Sequence, residues 1–247
     1  MRTYFISDLH LKNTEERNGE ILLRFLHSLL SEGENVRLVL LGDIFDLWVG
    51  GHQAFVKRYQ AIVDAFLELK KEGAEIIYFE GNHDLHLHPF WQNELGAKVY
   101  IDAHYFEWEG WKVRCEHGDL INLDDVKYLR YREFVRGGLM RLLVHTLPGD
   151  VWNAFGNWAS RTSRGHSTNY RADHHNKLVQ MIRHHAFRSY NEKSFDFILS
   201  GHMHVFDDFG FQMGDRQVRS VNLGSWLGDE IQIAVLDANG LQIQKIN

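Results

Sequence analysis

The sequence predicts an α/β protein with a helical insertion between two of its strands. Three observations carry this prediction. Strand-like and helix-like segments alternate through roughly the first 80 residues. The strands are nearly continuous apolar runs. The alternation is interrupted once, by a mostly helical stretch over 125–190.

In chain order, Thr3–Ser7 (TYFIS) reads as a strand. Glu16–Leu30 follows with Ile21, Leu22, Phe25, Leu26, Leu29 and Leu30 at helical spacing. Val36–Leu41 is a second strand. Ala54–Lys71 is predicted as one helix, with Phe55, Tyr59, Ile62, Val63, Phe66 and Leu67 on one side. Ala74–Phe79 is a third strand. Such a strand–helix order gives a parallel sheet with covering helices, and strands buried on both faces are apolar throughout. Short strands then follow at Lys98–Ile101, Tyr105–Trp108 and Lys112–Glu116, the last two joined at Glu109-Gly110. After the helical stretch, strands return at Phe195–Ser200, Arg216–Asn222, Gln232–Leu236 and Leu241–Ile246, with a hairpin turn at Asn239-Gly240. One domain over 1–247, with an insertion over about 122–195, is expected.

Composition narrows the class. A chain of 247 residues with 44% hydrophobic content buries a core without crosslinks, and its one cysteine, Cys115, allows no internal disulfide. Two prolines leave no Pro-rich linker. No apolar run approaches the ~20 residues of a membrane span, and Asp8 interrupts the apolar stretch behind the N-terminus, so a cytoplasmic protein is expected. Charge is unevenly placed. Residues 125–195 hold 12 Lys/Arg and 5 Asp/Glu, a net of +7, whereas the rest is at −13. A basic segment on an acidic body suggests an anionic ligand for that segment. The acidic body argues against a broad nucleic-acid surface.

Five short clusters sit just past predicted strands: Asp8-Leu9-His10, Gly42-Asp43-Ile44-Phe45-Asp46, Gly81-Asn82-His83-Asp84, His117-Gly118-Asp119 and Gly201-His202-Met203-His204. Open α/β sheets place ligands at the carboxyl ends of their strands. Each cluster alone is near chance, since Asp-x-His recurs at Asp84/His86, Asp102/His104 and Asp173/His175. Their joint order is the signal. Strand residues i and i+2 share a side, so Asp8 with His10, and His202 with His204, are expected to face one site. Asp43 can offer two oxygens, and an anionic bridge relieves the repulsion of two dications about 3.5–4 Å apart. Asn82 adds a carbonyl oxygen and His117 an imidazole. The predicted metal ligands are therefore Asp8, His10, Asp43, Asn82, His117, His202 and His204. Two dications against two carboxylates leave a net positive centre that attracts phosphate. Four histidines favour manganese, iron, cobalt or zinc over calcium or magnesium; ligand type does not choose among these, and manganese is the expectation. His83 is expected to act on the transferring phosphoryl group, Asp84 to orient it, and Asp46 to orient a metal ligand.

From Asp8 to His204 these clusters resemble the signature of the calcineurin-like metallophosphoesterases. The resemblance implies a four-layer α/β/β/α sandwich with two metals. One would be held by Asp8, His10, Asp43 and His204, and the other by Asp43, Asn82, His117 and His202. A metal-bridging hydroxide would attack phosphorus. Arg2–His10, Gly42–Gly50 and His117–Arg132 further resemble the UDP-2,3-diacylglucosamine pyrophosphohydrolases of lipid A biosynthesis. In that family the insertion is a lid over the acyl chains, and the products are UMP and 2,3-diacylglucosamine 1-phosphate. By position, Tyr128, Ser163 and Arg164, with Asn82 and His202, would contact substrate. His83 stands where that subfamily carries Arg.

The insertion combines Leu139, Met140, Leu142, Leu143, Val144, Leu147, Val151, Trp152, Phe155 and Trp158 with Arg136, Arg141, Arg161 and Arg164. Acyl chains need such apolar lining and phosphates need such bases. The same composition suits peripheral contact with the cytoplasmic face of a membrane, a small helical core of its own, or a dimer contact. Two other functions compete with the lipid diphosphatase: a phosphoesterase of the same fold acting on another phosphodiester, nucleotide or lipid diphosphate, and a non-catalytic scaffold.

Overall fold

The computed structural model describes residues 1–149, 151–152, 174–228 and 230–246. Its strands turn alternate side chains to opposite faces, and the apolar runs exist because both faces are covered. In β1 (Arg2–Ile6), Tyr4 and Ile6 enter one core and Phe5 the other. In β2 (Val36–Leu40), Leu38 and Leu40 face the first core and Val39 the second. In β4 (Glu75–Phe79), Ile76 and Tyr78 face the first, while Ile77 and Phe79 face the second.

The first core lies under α1 (Arg17–Leu30) and α3 (Gln60–Lys71). The second lies between two sheets. The first sheet runs β13-β12-β1-β2-β4-β6, where β6 is Lys98–Tyr100, β12 Ile231–Asp237 and β13 Gly240–Ile246. Its centre is parallel, with Tyr4 opposite Leu38 and Leu38 opposite Ile76. The second sheet runs β10-β11-β9-β8-β7. Its strands are β7 (His104–Trp108), β8 (Trp111–Cys115), β9 (Phe197–Ser200), β10 (Phe206–Met213) and β11 (Arg216–Leu223). Val113, Cys115, Phe197, Leu199, Val221 and Leu223 carry its inner face. On its outer face Ala186, Phe187 and Tyr190, from the last turns of α6 (Gly149–Glu192), pack on Ile198, Phe211 and Val218. The order helix, sheet, sheet, helix is the expected four-layer α/β/β/α sandwich.

Three local features differ from expectation. The helix expected over Ala54–Lys71 is two, α2 (Gln53–Arg58) and α3, broken at Tyr59, whose hydroxyl donates to the Leu11 carbonyl at 2.8 Å. Strand β10 was not expected. Asp207, Asp208 and Gly210 depress its strand propensity, yet Asp207 is paired by Arg183. A two-residue pair, β3 (Trp48–Val49) with β5 (Asp84–Leu85), is too short to show a period. The helical stretch packs on the body. It holds α4 (Val126–Arg136), α5 (Gly138–Thr146) and α6, and the end of α6 is the outer layer of the body. Among the described residues no helix is long and apolar enough to cross a membrane.

Candidate metal centre

All five clusters lie just beyond β1, β2, β4, β8 and β9. The first three strands belong to one sheet and the last two to the other, so the site straddles the seam between them. The backbone there is unusual. Seven non-glycine residues have positive φ among the described residues, and Asp8, His10, Asp43, His202 and His204 are five of them. Such left-handed residues cost energy and concentrate where function holds them. This corrects the spacing argument: Asp8 and His10 do not continue a strand, since β1 ends at Ile6. Left-handed backbone at both residues brings Asp8 Oδ1 and His10 Nε2 within 3.9 Å, whereas His202 and His204, also left-handed, turn to different donor sets.

Two sets of donor atoms converge. In one, His10 Nε2 and His204 Nε2 lie 2.9 Å apart, with Asp8 Oδ1 at 3.1 Å from His204 Nε2. In the other, His117 Nε2 lies 3.3 Å from Asn82 Oδ1 and 3.2 Å from His202 Nδ1, and Asn82 Oδ1 is 3.1 Å from His202 Nδ1. Asp43 Oδ2 stands between the sets, 3.8 Å from His10 Nε2 and 3.7 Å from His117 Nε2. The other Asp43 oxygen, Oδ1, is occupied by the N–H groups of Asn82 (2.8 Å) and His83 (2.9 Å), which aims Oδ2 at the gap. Asp8 is aimed likewise: its Oδ2 accepts the Ser7 hydroxyl and the His202 N–H, leaving Oδ1 buried without a hydrogen bond.

The protonation pattern suits cations. The Leu41 carbonyl, 2.7 Å from His117 Nδ1, can only accept, so a proton sits on Nδ1 and Nε2 faces the cluster; burial would lower the His117 pKa, but Asp43 and Asp8 outweigh it and raise it. Burial pushes His10 down to about 3 and His202 to about 4, so both rings are neutral at pH 7. Burial alone would raise the Asp43 carboxyl, but His117, His83 and His10 outweigh it and hold it below the usual range. Imidazole nitrogens, a carbonyl oxygen and carboxylate oxygens turned toward one another at about 3 Å form a donor set that fits divalent cations. Asp8, His10, Asp43 and His204 could hold one ion, and Asp43, His117 and His202 another, with Asn82 beside the second.

Glycines open the room for this. A Cβ on Gly201 would lie 1.8 Å from Ser7 Oγ and 2.2 Å from Asp8 Oδ2, and one on Gly42 would lie 2.4 Å from His117 Nδ1.

His83 sits at the rim, its ring centre 4.8 Å from that of His10. Its Nδ1 donates to the Asp46 carbonyl at 2.9 Å, so Nε2 is the free atom. Burial would lower its pKa, but Asp43 and Asp46 more than offset this and raise it. Asp84 does not touch the His83 ring. Its buried carboxylate accepts from the N–H groups of Asp43 (3.0 Å), Ile44 (2.8 Å) and Gly81 (2.7 Å) and from the Tyr78 hydroxyl (2.6 Å). It pins two loops together, and the expectation that it orients His83 is corrected. The Asp46 carboxylate groups with His10 and His83, while its carbonyl fixes the His83 ring.

Tyr128 comes to the centre, its ring 5.4 Å from that of His202, and burial raises its pKa so that it stays a neutral hydroxyl. Ser163 and Arg164 lie outside the described residues, as do Phe155, Trp158 and Arg161. Of the insertion's other residues, Val144 and Trp152 are buried against the body, whereas Leu139, Leu142 and Val151 are exposed. Arg136, expected to meet phosphate, is instead held by Asp119 and two backbone carbonyls. Ser7, Asp119 and Arg132 were missed as site-building residues. The four-residue spacing of Arg132 and Arg136 on one helix was the available signal.

The model of the calcineurin-like phosphoesterase family matches residues 1–206. A UDP-2,3-diacylglucosamine hydrolase of Stenotrophomonas maltophilia (strain R551-3) is 26% identical over 100% of this chain and 99% of the relative. One of Haemophilus influenzae (strain PittGG) is 30% identical over 59% of this chain and 60% of the relative. Among solved structures, wild-type Vps29 with zinc from Entamoeba histolytica aligns over 99% of this chain and 98% of that one, at 12% identity and a TM-score of 0.43.

Proposed function

The chain belongs to the calcineurin-like phosphoesterase family and is a metal-dependent phosphohydrolase; from that premise we propose that it hydrolyses the diphosphate of UDP-2,3-diacylglucosamine to UMP and 2,3-diacylglucosamine 1-phosphate. The observation that carries the chemistry is Asp43 Oδ2, set between two converging donor sets. What supports the substrate is the similarity along the whole chain to UDP-2,3-diacylglucosamine hydrolases, together with a basic, apolar-faced insertion beside the site.

In this reading Asp8, His10, Asp43 and His204 hold one divalent ion, and Asp43, Asn82, His117 and His202 the other. Manganese is the preferred ion. Two such ions supply Lewis acidity toward a phosphoryl oxygen and a water acidified toward neutral pH. The protein's own groups do the rest. His83, with its Nδ1 proton committed to the Asp46 carbonyl, presents Nε2 to the leaving oxygen and delivers a proton there. Tyr128 donates its hydroxyl proton to a phosphate or sugar oxygen beside His202. Phe134, Leu139 and Leu142 are more than half exposed, and Lys127, Arg130 and Arg141 lie exposed near them in sequence. They support a lid that meets acyl chains and a peripheral stance on the cytoplasmic side of an anionic membrane.

Incubation of the manganese-loaded protein with UDP-2,3-diacylglucosamine should release UMP. Protein shown to hold manganese that releases none above a metal-free control would overturn the substrate assignment. A second reading, a phosphoesterase acting on another phosphodiester or diphosphate, is favoured by His83, which can give up a proton where a guanidinium cannot. A panel of small phosphoesters separates the two, because a lidded lipid enzyme turns over small soluble esters poorly.

A further inference from the structure

Behind the converging donors lies a second buried charge cluster, built by α4. Arg132 and Arg136 stand on one face of that helix, and both reach the same oxygen. Arg132 Nε donates to Asp119 Oδ2 at 2.6 Å and Arg136 Nη1 at 2.9 Å. Asp119 is only 6% exposed. Arg136 Nη2 also donates to the carbonyls of Glu80 and Gly81, each at 3.1 Å. Arg132 Nη2 extends the other way to Asp102 at 2.7 Å. One guanidinium, Arg136, thus holds the loop after β4, which carries Asn82 and His83, against the loop after β8, which carries His117.

These loops leave different sheets, so no ladder of backbone hydrogen bonds fixes their separation. That separation nevertheless decides whether Asn82 Oδ1 and His117 Nε2 stand 3.3 Å apart. The same helix carries Tyr128 over His202.

We propose that Asp119, Arg132 and Arg136 are positioning residues that couple the docking of α4 to cation occupancy at Asp43, Asn82, His117 and His202; this rests on the two-cation reading above. A cation drawing Asn82 and His117 together, and a clamp drawing their loops together, favour one and the same spacing. Linkage then runs both ways. Filling the pocket seats the helix, and loosening the helix weakens the pocket.

The test is manganese titration by calorimetry on the full chain, together with amide exchange over residues 126–136 at zero and saturating manganese. In the wild type, two equivalents bind and manganese slows exchange in α4. Arg136→Met should weaken one equivalent about 10–100-fold, the usual cost of losing a partner behind a metal ligand, and leave the other near its wild-type affinity. Its α4 exchange should no longer respond to manganese. Arg136→Lys keeps a charge for Asp119 but cannot also span both carbonyls, so it should recover part of the loss; full recovery would overturn the bridging role. Arg132→Met, a milder change that spares the carbonyl contacts, should weaken the same equivalent by less, and serves if Arg136→Met does not fold. Arg219→Met, which breaks a pair with Asp208 on the far strands, should leave the titration unchanged. Wild-type affinity for both equivalents in Arg136→Met, or α4 exchange insensitive to manganese in the wild type, overturns the clamp alone. Fewer than two equivalents in the wild type overturns the two-cation reading and the clamp with it.

Discussion

Adding one methyl group at Gly81 should disable the site. A Cβ there would lie 2.1 Å from Asp43 Oδ1, 2.5 Å from the Asp43 nitrogen and 2.7 Å from Asp84 Oδ1. A carbon–oxygen contact closes at about 3.3 Å, so the Asp43 carboxylate and the Gly81 loop must separate by about 1.2 Å. None of the three neighbours can yield cheaply. Asp43 Oδ1 is tied to two backbone N–H groups, and Asp84 Oδ1 to those of Asp43 and Gly81. A misplacement near 1 Å costs on the order of 10²-fold in rate, and overpacking costs about 1–3 kcal/mol of stability. Gly81→Ala should therefore fold, melt somewhat lower, and turn over substrate at about one hundredth of the wild-type rate, with weakened metal binding. Steady-state kinetics, metal analysis and thermal melting on one preparation read all three. A Gly81→Ala protein with wild-type turnover and two tightly held ions would refute the idea that this close approach sets the position of Asp43.

Other perturbations separate the roles of neighbouring groups. Asp43→Ala should lose both ions and all measurable turnover, since its Oδ2 serves both donor sets; metal analysis that finds one ion retained at full affinity would count against a shared ligand. His83→Ala should lower turnover about 10²–10⁴-fold while metal content stays at the wild-type level, and stripped metals would remove its assignment as a proton donor. Glu80 is buried, and burial raises its carboxyl to about 7 from 4.5. The folded state thus favours the neutral acid, so its contribution is complete below about pH 4.5 and is lost as pH rises through 7. That shift corresponds to roughly 3 kcal/mol. Denaturant titrations of metal-free protein should show this fall between pH 5 and 8, and Glu80→Gln should flatten it.

How much of this was legible in the sequence depends on the range of the interaction that decides each feature. Val36–Leu40 and Glu75–Phe79 announce themselves because burial on both faces demands apolar residues at every position. The break at Tyr59 does not, because the side-chain bond to Leu11 that accompanies it crosses 48 residues. Strand β10 hides behind Asp207, whose burial is made tolerable by Arg183 from a distant helix. In the site, the identities of the clustered residues were readable, but their conformation was not. Asp8 and His10 suggest an extended pair by spacing, whereas their φ values are 55° and 51°. Asp84 has the composition of a catalytic partner, and only the four donors that surround it reveal a structural one. Tyr128 was placed by resemblance and found beside His202.

The seam location of the centre has a consequence for how the protein fails. Asp8, Asp43 and Asn82 ride on one slab, while His117, His202 and His204 ride on the other, and the interleaved side chains of Phe5, Val39, Leu199 and Val221 set how those slabs register. A trimmed methyl deep in that interior, far from any donor atom, would let one slab slide on its neighbour and pull the two halves of the cage out of alignment. Ion retention would then fall before the fold did, making bound metal a gauge of interior packing.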